Sequence, residues 1–296
     1  MMNFKVRKYG IRRCYTACVL LTLGVIACQG SAWGKEGVDY FGRLEARLVA
    51  DGFDAEQLRK LYARPEVTFE TQGLSLFFRH REATLDYDQF SAPDSIGKAR
   101  LYLAQNEPAF SRAEDNYGVD REIITAILLV ESRLGTVKGR RSVLNVLSSM
   151  AALAESDVQE MLWSQIVDFS TLSRADYDKW VQRRSDWAYR ELKAFITYAG
   201  REQIDPAAVN GSYAGALGYA QFMPTSVLAY ARDGNADGKI DLFDHPDAIA
   251  SIANYLKAAG WHPKIEREKA SKVIFQYNRS EYYVSTILKV ADLLKG

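Results

Sequence analysis

No stretch of this chain alternates apolar and polar residues for long enough to build a large sheet; its apolar residues instead recur three and four positions apart. A chain patterned this way folds as packed helices, and the absence of an internal repeat argues against a solenoid. From Tyr40 to about Gln105 run short amphipathic segments, Phe41 to Asp51, Ala55 to Tyr62 and Ile96 to Gln105, punctuated by Pro65, Gly73 and Ala92-Pro93. A longer region, Pro108 to Gly260, follows, and Ser271 to Leu294 reads as one further helical stretch. The expected fold class is therefore mainly α, with residues 36–107 as an N-terminal helical accessory domain, 108–260 as a core and 261–296 as a C-terminal helical segment.

The first residues read as a targeting segment. Lys5, Arg7, Lys8, Arg12 and Arg13 precede an apolar run, Tyr15 to Ala27, that is too short to span a bilayer comfortably. Val25-Ile26-Ala27-Cys28 has the form of a lipobox, which makes residues 1–28 a signal peptide and Cys28 the acylated residue. Cleavage after Gly30-Ser31-Ala32 and an uncleaved anchor are the alternatives. The lipobox reading puts the protein in the periplasm, tethered to the outer membrane as a lipoprotein.

Composition excludes several chemistries. The formal charge is +1, and without the five leading cations the remainder is mildly acidic. With no basic stripe, nothing supports nucleic-acid binding. Nor does any feature indicate oligomerisation. All three cysteines, Cys14, Cys18 and Cys28, lie in the leading segment, so the body has neither a disulfide nor a thiol for catalysis or zinc. Three histidines, none in an HExxH arrangement, leave the chemistry to carboxylates, amides and hydroxyls.

The most informative helix runs from Tyr117 to Gly135, with Asp120 placed to cap it and Gly135 to end it. Ile123, Ile124, Ile127, Leu128 and Leu134 form its apolar stripe, and Glu131 falls four residues after Ile127 and seven after Ile124, on the same stripe. Desolvation there favours the neutral carboxyl and raises its pKa, as a general acid near neutral pH requires. On spacing alone the favoured reading is a purely structural glutamate, satisfied by Arg133 or by backbone donors near Gly135.

Asp233-x-Asn235-x-Asp237-Gly238-x-Ile240 reads as an EF-hand loop, with oxygen ligands at positions 1, 3 and 5, a glycine at the turn and the Lys239 carbonyl next. Position 12 is Asp244 instead of a glutamate. A lone loop suggests a stabilising calcium and not a sensor; a solvated Asx-rich turn is the plain alternative.

Four blocks lie in order along the chain: Val130 to Gly135; Gly211-Ser-Tyr-Ala-Gly-Ala-Leu-Gly-Tyr-Ala-Gln-Phe-Met-Pro-Thr-Ser226; Asp233 to Leu256 with Gly260-Trp261; and Tyr277-Asn-Arg-Ser280 followed by Tyr283. Together they resemble the membrane-bound lytic transglycosylase B family over most of residues 117–287. The resemblance implies an α+β lysozyme-like core within the accessory helices. It also implies cleavage of the β-1,4 bond between N-acetylmuramic acid and N-acetylglucosamine in peptidoglycan glycan strands, by attack of the muramoyl 6-hydroxyl to leave a 1,6-anhydro end. The family's acid falls on Glu131, its serine on Ser212, its glutamine on Gln221 and its cleft tyrosines on Tyr277 and Tyr283. Arg183-Arg184 resembles its paired arginines, and a solvated helix face is the alternative for that pair. The family's longer calcium loop ends on Asp247, which leaves Asp244 as a helix cap and makes Asp233, Asn235, Asp237, Lys239 and Asp247 the expected calcium ligands. The stretch 154–182, rich in Asp, Ser and Trp, is a departure from the family and reads as an insertion.

With an internal hydroxyl as nucleophile, one glutamate can serve as acid and then base, where glycosidases commonly use two carboxylates. The competing readings are a non-catalytic peptidoglycan-binding scaffold and a muramidase that hydrolyses the same bond.

Overall fold

The computed structural model describes residues 39–77, 86–168 and 172–296; the expected signal peptide and lipobox, with Cys28, lie outside them. Residues 39–296 cluster as one unit. Among the described residues no helix is long and apolar enough to cross a membrane.

The three amphipathic segments near the start become α1 (Gly42–Ala50), α2 (Ala55–Tyr62) and α4 (Pro93–Gln105), and a short α3 (Thr71–Leu76), not expected from the sequence, lies between the last two. Gly73, expected to punctuate, lies buried inside α3, while Pro93 opens α4 at the position where its missing N–H costs nothing. Then come α5 (Glu107–Tyr117), α6 (Arg121–Ser132), α7 (Val143–Ala152), α8 (Ser156–Ile166), the long α9 (Arg174–Glu202), α10 (Pro224–Tyr230), α11 (His245–Ala258), α12 (Arg267–Tyr277) and α13 (Glu281–Lys295). Two two-residue strands, β1 (Arg141–Ser142) and β2 (Asn210–Gly211), pair antiparallel with Arg141 opposite Gly211. This mainly α body with a minimal sheet is the class expected from the apolar spacing.

The expected single C-terminal stretch is two helices. Asn278 and Ser280 both adopt extended backbone, and the Ser280 hydroxyl accepts the Tyr283 N–H to start α13.

At the centre, α7 is buried along all ten of its residues: seven are apolar, and the polar Asn145, Ser148 and Ser149 hydrogen-bond to the Glu66 carbonyl, the Tyr62 hydroxyl and the Glu70 N–H. It packs along α9, while α13 lies against α6 and α11 against α5. These pairings set the site, because α6 and α13 carry its two principal side chains.

Candidate active site

The end of α6 is built by backbone geometry. Asp120 stands at its N-cap without a side-chain cap bond, and the helix stops at Ser132, three residues before Gly135. Arg133, Leu134 and Gly135 then take φ values of 49°, 59° and 86°. The Leu134 N–H reaches back to the Leu128 carbonyl at 2.9 Å, a left-handed cap that satisfies the last turn. Non-glycine residues in this region store strain that packing must hold in place. At Gly135 a side chain is excluded twice over, by its φ and by His245 Cε1, 2.9 Å from where a Cβ would lie.

This reversal turns Arg133 away from Glu131. Arg133 hydrogen-bonds Gln89 and lies over the Phe90 ring, so the structural pairing weighed from sequence is not the one formed. Glu131 Oε1 instead accepts from the Tyr283 hydroxyl at 2.7 Å. Glu131 keeps one side open and is half-buried, yet the protein around its carboxyl is dense enough to push its pKa up to about 7. Burial is the larger cause and the Tyr283 hydrogen bond opposes it; no second carboxylate contributes. Tyr283 is 1% exposed, and burial together with the adjacent Glu131 raises its pKa well above the ordinary value, so it remains a donor.

Tyr277, the last residue of α12, lies parallel to Tyr283, with ring centres 6.3 Å apart and 8° between planes. Its hydroxyl donates to the Ala220 carbonyl at 2.5 Å and so ties the tyrosine pair to the glycine-rich loop. That loop is a small hairpin in which Leu217 and Phe222 exchange backbone hydrogen bonds. Gln221 closes it at φ 48°, with Nε2 on the Gly218 carbonyl at 2.8 Å. The Ser212 Oγ accepts the N–H groups of Ala214 (3.2 Å) and Ala216 (3.1 Å), and so organises the turn.

The structure thus joins Glu131, Tyr283 and Tyr277 directly, brings Gln221 next to the Tyr277 anchor point, and sets Ser212 earlier in the same loop. Of the two arginines, Arg183 is exposed on α9, and Arg184 lies over Phe77 and Trp187. Tyr255 was missed from the sequence. It meets Tyr277 edge-on at 4.9 Å and belongs to the same aromatic wall, as its place in the apolar pattern of α11 could have signalled. A cavity of about 590 Å³ beside Lys138, Tyr198 and Phe243 holds none of these residues.

In the acidic loop, Asp233 accepts the N–H groups of Ala236, Asp237 and Gly238, and Asn235 and Asp237 each accept one more. Asp247, 1% exposed, bridges the N–H groups of Gly234 (2.8 Å) and Asp241 (2.7 Å). Burial raises its pKa, and Asp244 and Asp233 add to the rise. Lys239 is exposed beside Gly238. Asp244 occupies the N-cap of α11 but makes no cap bond, against expectation; it receives the Asn235 amide at 3.3 Å. Among the described residues no three His, Cys, Asp or Glu side chains gather closely enough to hold a metal. The donor type, all hard oxygen, suits calcium.

A mainly α body carrying Glu131, its pKa raised by burial and its carboxyl held by Tyr283, is consistent with the lysozyme-like class. Within it, the chain belongs to the transglycosylase SLT domain family, which it matches over residues 38–270. It is 38% identical over 173 residues to membrane-bound lytic murein transglycosylase B of Escherichia coli (strain K12), covering 58% of this chain and 40% of that protein. Among solved structures it resembles E. coli lytic transglycosylase Slt35 in complex with calcium, with TM-score 0.70 and 25% identity, over 87% of this chain and 93% of that one. Soluble lytic transglycosylase SltB1 from Pseudomonas aeruginosa gives TM-score 0.69 and 25% identity over 85% and 97%.

Proposed function

We propose that this chain is a lytic transglycosylase that cleaves the β-1,4 bond between N-acetylmuramic acid and N-acetylglucosamine in peptidoglycan, with Glu131 as its one acid and base. The observation that carries this reading is the Glu131 carboxyl, held near neutrality by burial and fixed by Tyr283. A group with a pKa of about 7 keeps its proton in a useful fraction of molecules at neutral pH and gives it up readily. Since Oε1 accepts from Tyr283, Oε2 carries the transferable proton. It passes to the glycosidic oxygen as the bond to the muramoyl C1 breaks. The carboxylate left behind then takes the proton of the muramoyl 6-hydroxyl as that oxygen closes on C1. One bond breaks, one forms, the proton returns to Glu131, and no water is consumed.

Between the two steps the substrate's own acetamido oxygen stabilises the cationic C1, which removes the need for a second carboxylate. Tyr277, Gln221 and Ser212 line the sugar site as orienting groups, and Arg183 and Arg184 on α9 are read as further substrate-binding residues. Family membership and the likeness to E. coli and P. aeruginosa lytic transglycosylases support the same reaction. The test is digestion of purified sacculi followed by product mass, because an anhydro end is lighter than a hydrolysed one by one water. Hydrolysed ends would make the chain a muramidase, and binding without turnover a scaffold.

The loop from Asp233 to Asp247 is read as a structural calcium site, through Asp233, Asn235, Asp237, the Lys239 carbonyl and Asp247; the calcium complex of E. coli Slt35 supports this. The protein is read as periplasmic and tethered to the outer membrane by an acylated Cys28. The mass of the mature N-terminus tests the anchor.

A further inference from the structure

Aromatic side chains form a ladder from the segment 154–182 to the glycine-rich loop. Trp163 on α8 meets Tyr177 on α9 with ring centres 4.9 Å apart, and Tyr177 stacks on Trp180 at 6.4 Å and 20°. Trp180 meets Phe77, just beyond α3, at 5.8 Å, and Phe77 meets the edge of Tyr213 at 5.0 Å. Tyr213 directly follows Ser212. Tyr177 is buried and serves as the spine, while the other four rungs are half-buried.

Arg184, seven residues after Tyr177 and so on the same face of α9, places its guanidinium 5.3 Å from the Phe77 ring centre. It has no acidic partner within ion-pair distance among the described residues, whereas Arg174 is tied to Glu160 and Asp178. Arg174 lies over the Trp163 ring at 5.6 Å, so two of the half-buried rungs already carry a guanidinium, and the ladder ends at the loop that carries Ser212.

We propose that this ladder is a distal glycan-binding track, which holds sugars of the strand beyond those at Glu131. This rests on the lytic transglycosylase reading above. The apolar C–H face of a pyranose lies well against the electron-rich face of an aromatic ring, and the half-buried rungs offer such surface in succession. The Arg184 guanidinium, already held over a ring, offers N–H donors to the acyl oxygens that alternate along the strand. The track gives a function to the one segment that departs from the family pattern. Long strands are retained by it, and short fragments are not.

The test uses the full chain with Glu131→Gln to stop turnover, and compares binding of a peptide-free tetrasaccharide with that of long peptide-free glycan strands. Trp180→Ala should weaken long strands relative to the tetrasaccharide by about ten-fold, or about 1.4 kcal/mol. Trp180→Tyr, which keeps a ring, should restore most of the preference. If Trp180→Ala loses its cooperative melt, Trp180→Leu, which keeps apolar bulk without a planar face, carries the same expected loss. An unchanged ratio in a folded variant overturns the track, whether or not both affinities fall. A failure of the underlying reading shows separately: wild-type protein would release no anhydro ends from sacculi, or would bind neither strand length.

Discussion

Replacing Glu131 by Gln should abolish turnover and, above neutrality, stabilise the protein. Burial carries the carboxyl from the ordinary 4.5 to about 7 in the folded chain, whereas the unfolded chain keeps the ordinary value. Below pH 4.5 both states hold the proton and the full stability is present. As pH rises the unfolded state releases its proton first, so stability is lost progressively and the loss is complete once pH passes the folded value. At about 1.36 kcal/mol per unit, a shift of this size amounts to about 3 kcal/mol. The substituted amide cannot ionise and still offers Tyr283 an acceptor, so the variant escapes the loss. For a chain of this size that corresponds to about 6–12 °C in melting temperature. Thermal unfolding by circular dichroism, with both proteins at pH 4 and pH 8, reads it directly. The reasoning fails if the difference between the two melting temperatures is the same at both pH values, for the stabilisation must appear only at the higher one.

Tyr283→Phe removes the bond that opposes burial, so the Glu131 pKa rises further; a hydrogen bond to a charged group is worth about 1.5–3 kcal/mol, which moves the alkaline limb of the pH–rate profile up by about 1–2 units. A limb that stays put, with only the rate reduced, would show that the bond does not set the proton affinity. Chelation should lower the melting temperature, and an unchanged transition with and without calcium would count against the loop as a metal site. Gly135→Ala should destabilise by about 1–3 kcal/mol in urea titration, because its φ of +86° disfavours a side chain and a Cβ would meet His245 at 2.9 Å. A loss within a few tenths would mean that the end of α6 relaxes easily.

Helix spacing was legible where one face is plainly apolar: α2 runs from Ala55 to Tyr62, as its sequence pattern indicates. It was not legible where backbone geometry defied residue preference. Gly135 looks like the helix stop, but Arg133 and Leu134 turn left-handed before it, held by the Leu128 carbonyl and the packing around Tyr219 and His245. The C-terminal break was hidden because helix-compatible residues flank Asn278 to Ser280 on both sides. Of the site, the stripe around Glu131 follows from spacing alone. Tyr283 lies 152 positions away, and periodicity cannot pair two such residues; only the family resemblance pointed to it. The bond from Tyr277 to the Ala220 carbonyl left no trace in either kind of reading.

The acid sits on α6 and its hydrogen-bond donor on α13, and these two helices pack directly against each other in the core. The site is therefore not a loop arrangement laid over an independent scaffold. The apolar contacts that hold α13 on α6 also set the desolvation of Glu131 and the reach of Tyr283. Loosening that contact, for instance at Ile287 or Ile127, both fully buried, would admit water to the carboxyl. Its pKa would then fall toward the ordinary value, and the neutral-pH acid would be lost together with stability. Core variants on this seam should consequently show an alkaline limb displaced to lower pH in step with their loss of stability, while equally destabilising variants in α1 or α2 should leave that limb where it is.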